Sequence, residues 1–128
     1  MEDIKDLIDK SETRIFKAVF PNTTNHYDTL FGGTALHLMD EASFICATRF
    51  SRKKVVTVST DKIDFSTPIP QGTIVELVAR IDKVGKTSCV VKVDIFMEDM
   101  YSYARNKAVT GFFTFVAVDD DKKPTPIC

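Results

Sequence analysis

The sequence is short of cysteine, and the few it has are not spaced to work together. Cys46, Cys89 and Cys128 are odd in number and far apart. That excludes a disulfide framework and a paired-ligand zinc knuckle. Cys46 lies in an apolar helix-like stretch and Cys89 in a strand-like run, so both read as buried thiols, with Cys128 frayed at the end. No apolar run is long enough to span a bilayer. The opening MEDIKDLIDK lacks the apolar segment of a signal peptide. A reducing, cytoplasmic setting is therefore the default expectation. Charge of one sign is lacking too: 17 basic residues face 18 acidic ones. Net charge gives no reason to expect nucleic acid or an anionic membrane as partner. Repeats, low-complexity tracts and linkers are absent.

What remains is the composition of one ordinary globular domain. Its 128 residues, 44% hydrophobic and 27% charged, allow one real core and are too few for two. A single domain over 1–128 is expected, with 1–11 and 119–128 as loose ends. TRIFKAVF (13–20) alternates like a strand, and Pro21, which cannot donate to a ladder, ends it. NTTNHYDTLF (22–31) is rich in turn formers and reads as a loop. A long helix follows, over roughly 33–50. Strand-like runs cover 55–66, 73–82, 88–98 and 104–118, joined mostly by short turns. Strand, long helix, then four strands is an α+β order, with one helix packed on an antiparallel sheet of about five strands. One helix covers only part of such a sheet, so a self-associated oligomer is expected.

The helix poses the functional question. FGGTALHLMDEASFICATRF (31–50) is apolar nearly all round, yet Asp40 and Glu41 stand side by side within it. A dry, unpaired carboxylate there would cost several kcal/mol or raise its pKa. Either the pair faces water or it faces a site. Periodicity alone leaves both open, since His37, Asp40, Glu41 and Arg49 also fit a solvated surface. The loop tips the balance. Gly32 and Gly33 let backbone N–H groups approach a ligand, and amides at a helix start suit a developing oxyanion. A tight turn would explain a lone Gly-Gly equally well. Asn25, His26 and Asp28 add polar groups just upstream.

The stretch PNTTNHYDTLFGGTALHLMDEASFICATR (21–49) resembles the signature of the hot-dog-fold acyl-CoA thioesterases, in their acyl-CoA hydrolase branch. The shared pattern is a T-N loop, a glycine pair and a long apolar helix carrying M-D-E-A. VVTVSTDKIDFSTPIPQGTIVELVARIDKVGKTSCVVKVDIF (55–96) and TGFFTFVAVD (110–119) are similar to the family's later strands. The resemblance implies a hot-dog fold, a long helix wrapped by an antiparallel sheet, with active sites between two protomers of a dimer or dimer-based tetramer or hexamer. It implies acyl-CoA as substrate, with Asp40 as general base or nucleophile. Asn25 would position water or carbonyl in the partner's site, and the Gly33 amide would hold the oxyanion. Glu41 is assigned a supporting role, and Thr29 and Gly32 substrate contact. The turn Gly85-Lys86-Thr87-Ser88 is a candidate phosphate or pantetheine contact, with Arg52, Lys53, Lys54 and Arg105 as further candidates, although solvated surface cations explain Arg52 to Lys54 better. Phe65, Phe112, Phe113 and Phe115 are candidate acyl-pocket residues or plain core. No metal and no separate cofactor are implied, since coenzyme A arrives with the substrate.

The family's usual loop reads N-x-x-G, whereas this chain has Asp28 at the glycine position, which alters the loop and adds a charge. Two rivals share the fold. A non-catalytic acyl-CoA sensor would need no acid at position 40, and the dozen residues before the first strand are too few for a DNA-binding motif. A hydratase or dehydratase would pair Asp40 with a histidine, and His37 stands at i−3.

Overall fold

The computed structural model describes residues 3–20, 24, 26, 30 and 32–128, with the backbone alone at Lys62. Helix α1 (Ile4–Ser11) is followed by strand β1 (Thr13–Ala18), helix α2 (Gly32–Ser51) and strands β2 (Lys54–Phe65), β3 (Thr73–Val84), β4 (Ser88–Asp99) and β5 (Arg105–Val118). The five strands form one sheet in the order β1-β3-β4-β5-β2. Every neighbouring pair is antiparallel. The expected long helix and five-stranded antiparallel sheet are both present.

The core follows from alternation. In β3 the side chains of Val75, Leu77, Ala79 and Ile81 are buried on one face, and in β4 those of Val91, Val93 and Ile95. Register aligns the rows, with Leu77 opposite Ile95 and Ala79 opposite Val93. α2 lies across this face. Its inward residues, Ala35, Met39, Ala42, Ser43, Cys46, Ala47 and Phe50, recur at three- and four-residue steps. Three are alanines, which let the helix axis come close to the sheet. Gly111 on β5 serves the same closeness: a β-carbon there would stand 2.3 Å from Ile63 Cδ1 and 2.9 Å from Met39 Cε.

α2 ends where Arg52 turns left-handed, at φ 55°, its N–H bonded to the Thr48 carbonyl at 2.6 Å. At the other end of the chain α1 is N-capped, the Asp3 side chain accepting from the Asp6 N–H at 2.8 Å. Arg49 of α2 donates to the carbonyls of Lys10 and Glu12 and to Thr13 Oγ1, which fastens α1 to the central helix.

Both ends, expected loose, hold structure. The last residues turn back along β5, where the Thr125 N–H donates to the Ala117 carbonyl and the Ile127 N–H to that of Lys86. Ile127 is fully buried. A single apolar side chain in a polar tail finds the uncovered end of the core and closes it.

On the face away from α2, Glu76 is nearly buried and is held by Arg14 and Arg105. Arg105 also bonds Glu98 and stacks over Phe96, 4.5 Å from the ring centroid. One carboxylate thereby links β1, β3 and β5.

Candidate active site

Asp40 and Glu41 both lie on the exposed side of α2. The opening puzzle resolves by geometry: the acidic pair interrupts the apolar sequence where the helix turns away from the sheet's core. Asp40 is not left to solvent alone. The Thr57 hydroxyl of β2 donates to its Oδ1 at 3.4 Å, a long contact that spans the cleft between helix and edge strand. Thr57 pairs with Phe115, whose side chain is fully buried, so Thr57 turns to the helix side of the sheet. The helix backbone at this point is tied as well, Ser43 Oγ donating to the Asp40 carbonyl at 2.9 Å.

Sequence reading passed over Thr57 as one residue of a strand motif. The signal was available: a hydroxyl residue set in phase with the buried positions of the following strands.

Gly32 and Gly33 open α2 with ordinary negative φ, so no left-handed turn demands glycine. A β-carbon at either would meet no heavy atom within 4 Å. The space over the helix start is therefore empty on this chain, and its first amides have no partner within the helix. Gly33 and Asp40 lie two turns apart on nearly the same side of the helix, about 10 Å along the axis.

The Gly85–Ser88 turn is tight. The Gly85 N–H donates to the Ser88 carbonyl at 2.8 Å, and a β-carbon on Gly85 would press to 2.8 Å from Ser88 Oγ. Register ties this turn to the same level of the sheet as Thr57, which faces Phe115, which in turn faces Cys89. Two strand spacings make that about 10 Å across. Lys86 is exposed at the tip.

The other sequence candidates separate. Asn25, Thr29 and Asp28 lie outside the described residues. Arg105 is engaged by Glu76, Glu98 and Phe96 on the opposite face of the sheet. Lys53 Nζ donates to the Pro126 carbonyl, and Lys54 pairs with Asp120 at 3.0 Å. Phe113 and Phe115 are core, whereas Phe65 is half exposed. Phe44, also half exposed on α2, meets the Phe115 ring at 6.5 Å between centroids. His37 is exposed on α2, and among the described residues the side chain that meets the Asp40 carboxylate is Thr57. Among the described residues no three His, Cys, Asp or Glu side chains gather as a metal site. No helix there is long and apolar enough to cross a membrane.

β2 forms an edge of the sheet beside the site. Val56 and Val58 on it are about half exposed, as are Leu36 and Phe44 on the flank of α2.

A model of the thioesterase superfamily matches residues 27–104, from the loop before α2 to the turn before β5. The chain belongs to the thioesterase superfamily. The Bacillus subtilis protein YkhA, named as an uncharacterized acyl-CoA thioester hydrolase, is 39% identical over 118 residues, which is 91% of this chain and 69% of its own. Among solved structures, an acyl-CoA hydrolase from Staphylococcus aureus in complex with butyryl coenzyme A, coenzyme A and coenzyme A disulfide superposes with a TM-score of 0.89 at 38% identity, over 93% of this chain and 73% of that one. An apo-hexameric acyl-CoA thioesterase superposes with a TM-score of 0.90 at 34% identity, over 93% of this chain and 76% of that one. These relatives carry the hot-dog fold that the sequence resemblance implied.

Proposed function

We propose that this thioesterase-superfamily chain is an acyl-CoA thioester hydrolase in which Asp40 is the catalytic carboxylate. The observation that carries the assignment is the Asp40–Thr57 contact in a cleft whose helix start is open at Gly32 and Gly33. Helix side chains lean toward the N-terminus. An aspartate reaching back from position 40 leaves roughly 7 Å to the Gly33 amide, space for a carbonyl and an attacking oxygen.

In this reading Asp40 removes a proton from water as the water oxygen bonds to the thioester carbon. The carbonyl electron pair moves onto oxygen, where the Gly33 N–H receives it. Collapse re-forms the carbonyl and breaks the carbon–sulfur bond. The departing thiolate takes up the proton, giving a free acid and coenzyme A. Direct attack by the carboxylate gives a mixed anhydride that water then opens to the same products. A placed base contributes about 10²–10⁴-fold and an oxyanion donor about 10²–10³-fold. Thr57 positions the carboxylate, and Glu41 supports it from the next position. Asn25 orients water or carbonyl, Thr29 and Gly32 line the substrate path, and Gly85 to Ser88 receive the phosphates or pantetheine arm. Coenzyme A is part of the substrate, and the reading invokes no further cofactor.

The active unit is an oligomer built on a dimer. The exposed edge of β2 and its valines provide a surface on which a second copy completes the sheet and brings its loop to the site. The buried free thiols, Cys46 and Cys89, suit a reducing compartment such as the cytoplasm.

The test is thiol release from a panel of acyl-CoAs, short to long. Release of coenzyme A with free acid supports the reading. Binding without release turns it into an acyl-CoA sensor, and an enoyl or hydroxyacyl product turns it into a hydratase or dehydratase. The placement of Thr57, and not His37, against Asp40 favours hydrolysis.

A further inference from the structure

One cavity differs from the other clefts. It lies under the first turn of α2, encloses about 140 Å³ and is lined by Leu30, Ala35, Phe65, Pro68, Ile69 and Val109. Four wider clefts elsewhere on the described residues all carry charged side chains. This one carries none. Its wall is built and not incidental: the Leu30 N–H donates to the Ile69 carbonyl at 2.7 Å, the Thr67 N–H to that of Ala108 at 3.2 Å, and Ser66 Oγ to the same carbonyl at 3.1 Å. The segment's polar groups are used up among themselves, which leaves an apolar lining. Phe65 is half exposed, so the ring forms a wall that meets solvent, whereas Ala35 is buried at the inner side.

We infer that this cavity receives the acyl chain and that Phe65 and Ala35 set the chain length it accepts. The inference rests on the thioesterase reading, because the cavity starts within one turn of the Gly33 amide that would hold the carbonyl oxygen. Ala35 and Asp40 are five positions apart, about 7.5 Å along the axis. A thioester between Gly33 and Asp40 therefore has the first acyl carbons beside the cavity. Its volume matches the ~150 Å³ apolar cavity that admits one benzene ring. The acyl class is thus short, about six carbons or fewer. At the limit, one methylene more or less is worth about tenfold or more in discrimination.

Binding of non-hydrolysable S-alkyl-CoA ethers, ethyl to dodecyl, measured by calorimetry on the assembled protein, separates this inference from the catalytic one. Affinity is expected to climb with chain length and break near six carbons. Phe65→Ala, at a half-exposed position, moves the break to longer chains. Ala35→Val, which narrows the cavity, moves it to shorter ones, with about a tenfold change in affinity at the carbon where the break moves. If Ala35→Val does not fold, Phe65→Ala decides alone, with Phe65→Leu as the milder widening. An unmoved break in the folded variants, or a wild type indifferent to length, overturns the pocket even if thioesters are hydrolysed. Length selection that shifts as stated without any thiol release from thioesters sustains the pocket and removes the hydrolase reading.

Discussion

Thr57 on β2 and Asp40 on α2 meet across the helix–strand cleft, hydroxyl to carboxylate Oδ1 at 3.4 Å. The contact fixes which way the carboxylate faces at a point where the helix itself leaves it exposed. Thr57→Val keeps the shape and removes the donor. kcat is expected to fall about tenfold, the scale of one hydrogen bond to a charged group, with KM little changed. Thr57→Ser, which restores the hydroxyl, should recover most of the loss. A fall in KM alone would contradict a positioning role.

Self-association depends on the open edge of β2. Val56 and Val58 are half exposed in the single chain. Replacing both by lysine places charge along the edge and discourages strand pairing. Light scattering should show a shift toward monomer, and thiol release should fall with it, since the site draws on a second copy. An unchanged mass would place the interface elsewhere.

Close packing of α2 on the sheet depends on Gly111. An added β-carbon would collide with the ends of the Ile63 and Met39 side chains. Gly111→Ala should cost about 1–3 kcal/mol by overpacking, read as a lowered denaturation midpoint. The colliding groups are side-chain termini, so the fold itself should persist.

Burial pushes the Cys46 thiol up to about 12 and the Cys89 thiol up to about 11. Cys128 is exposed. A thiol reagent at pH 8 should therefore label Cys128 rapidly and the other two only after unfolding. The shift also has a sign for stability. Unfolded thiols ionise first, near pH 9, so above that pH the unfolded state gives up protons that the folded state retains. The thiols' contribution is complete below about pH 9 and declines from there toward pH 11–12. Unfolding midpoints measured from pH 8 to 10.5 should fall, and Cys46→Ala with Cys89→Ala should flatten the decline.

Much of this was legible in the sequence because it was periodic. β4 shows its alternation from Val91 to Ile95, and α2 its apolar length, and both folded as written. The site was legible where residue type is restrictive, as with the glycine pair and Asp40 in M-D-E-A. Thr57 was harder to read because its role depends on strand phase across two partners, Phe115 and Cys89, which a linear reading does not pair. The tail was misjudged for a related reason. Its polar composition is real, and only the three-dimensional closure of the core recruits Ile127. Arg105 drew attention as a free cation, although long-range pairing with Glu76 already occupies it.

The central claim is that the Asp40 carboxylate performs the hydrolysis. The most direct test compares thiol release by wild type and Asp40→Asn on the same acyl-CoA, with melting curves to confirm that both are folded. Asparagine keeps the shape and removes the charge. The account requires loss of about 10²-fold or more in kcat, with coenzyme A still bound. A folded Asp40→Asn protein that releases thiol at close to the wild-type rate would contradict it.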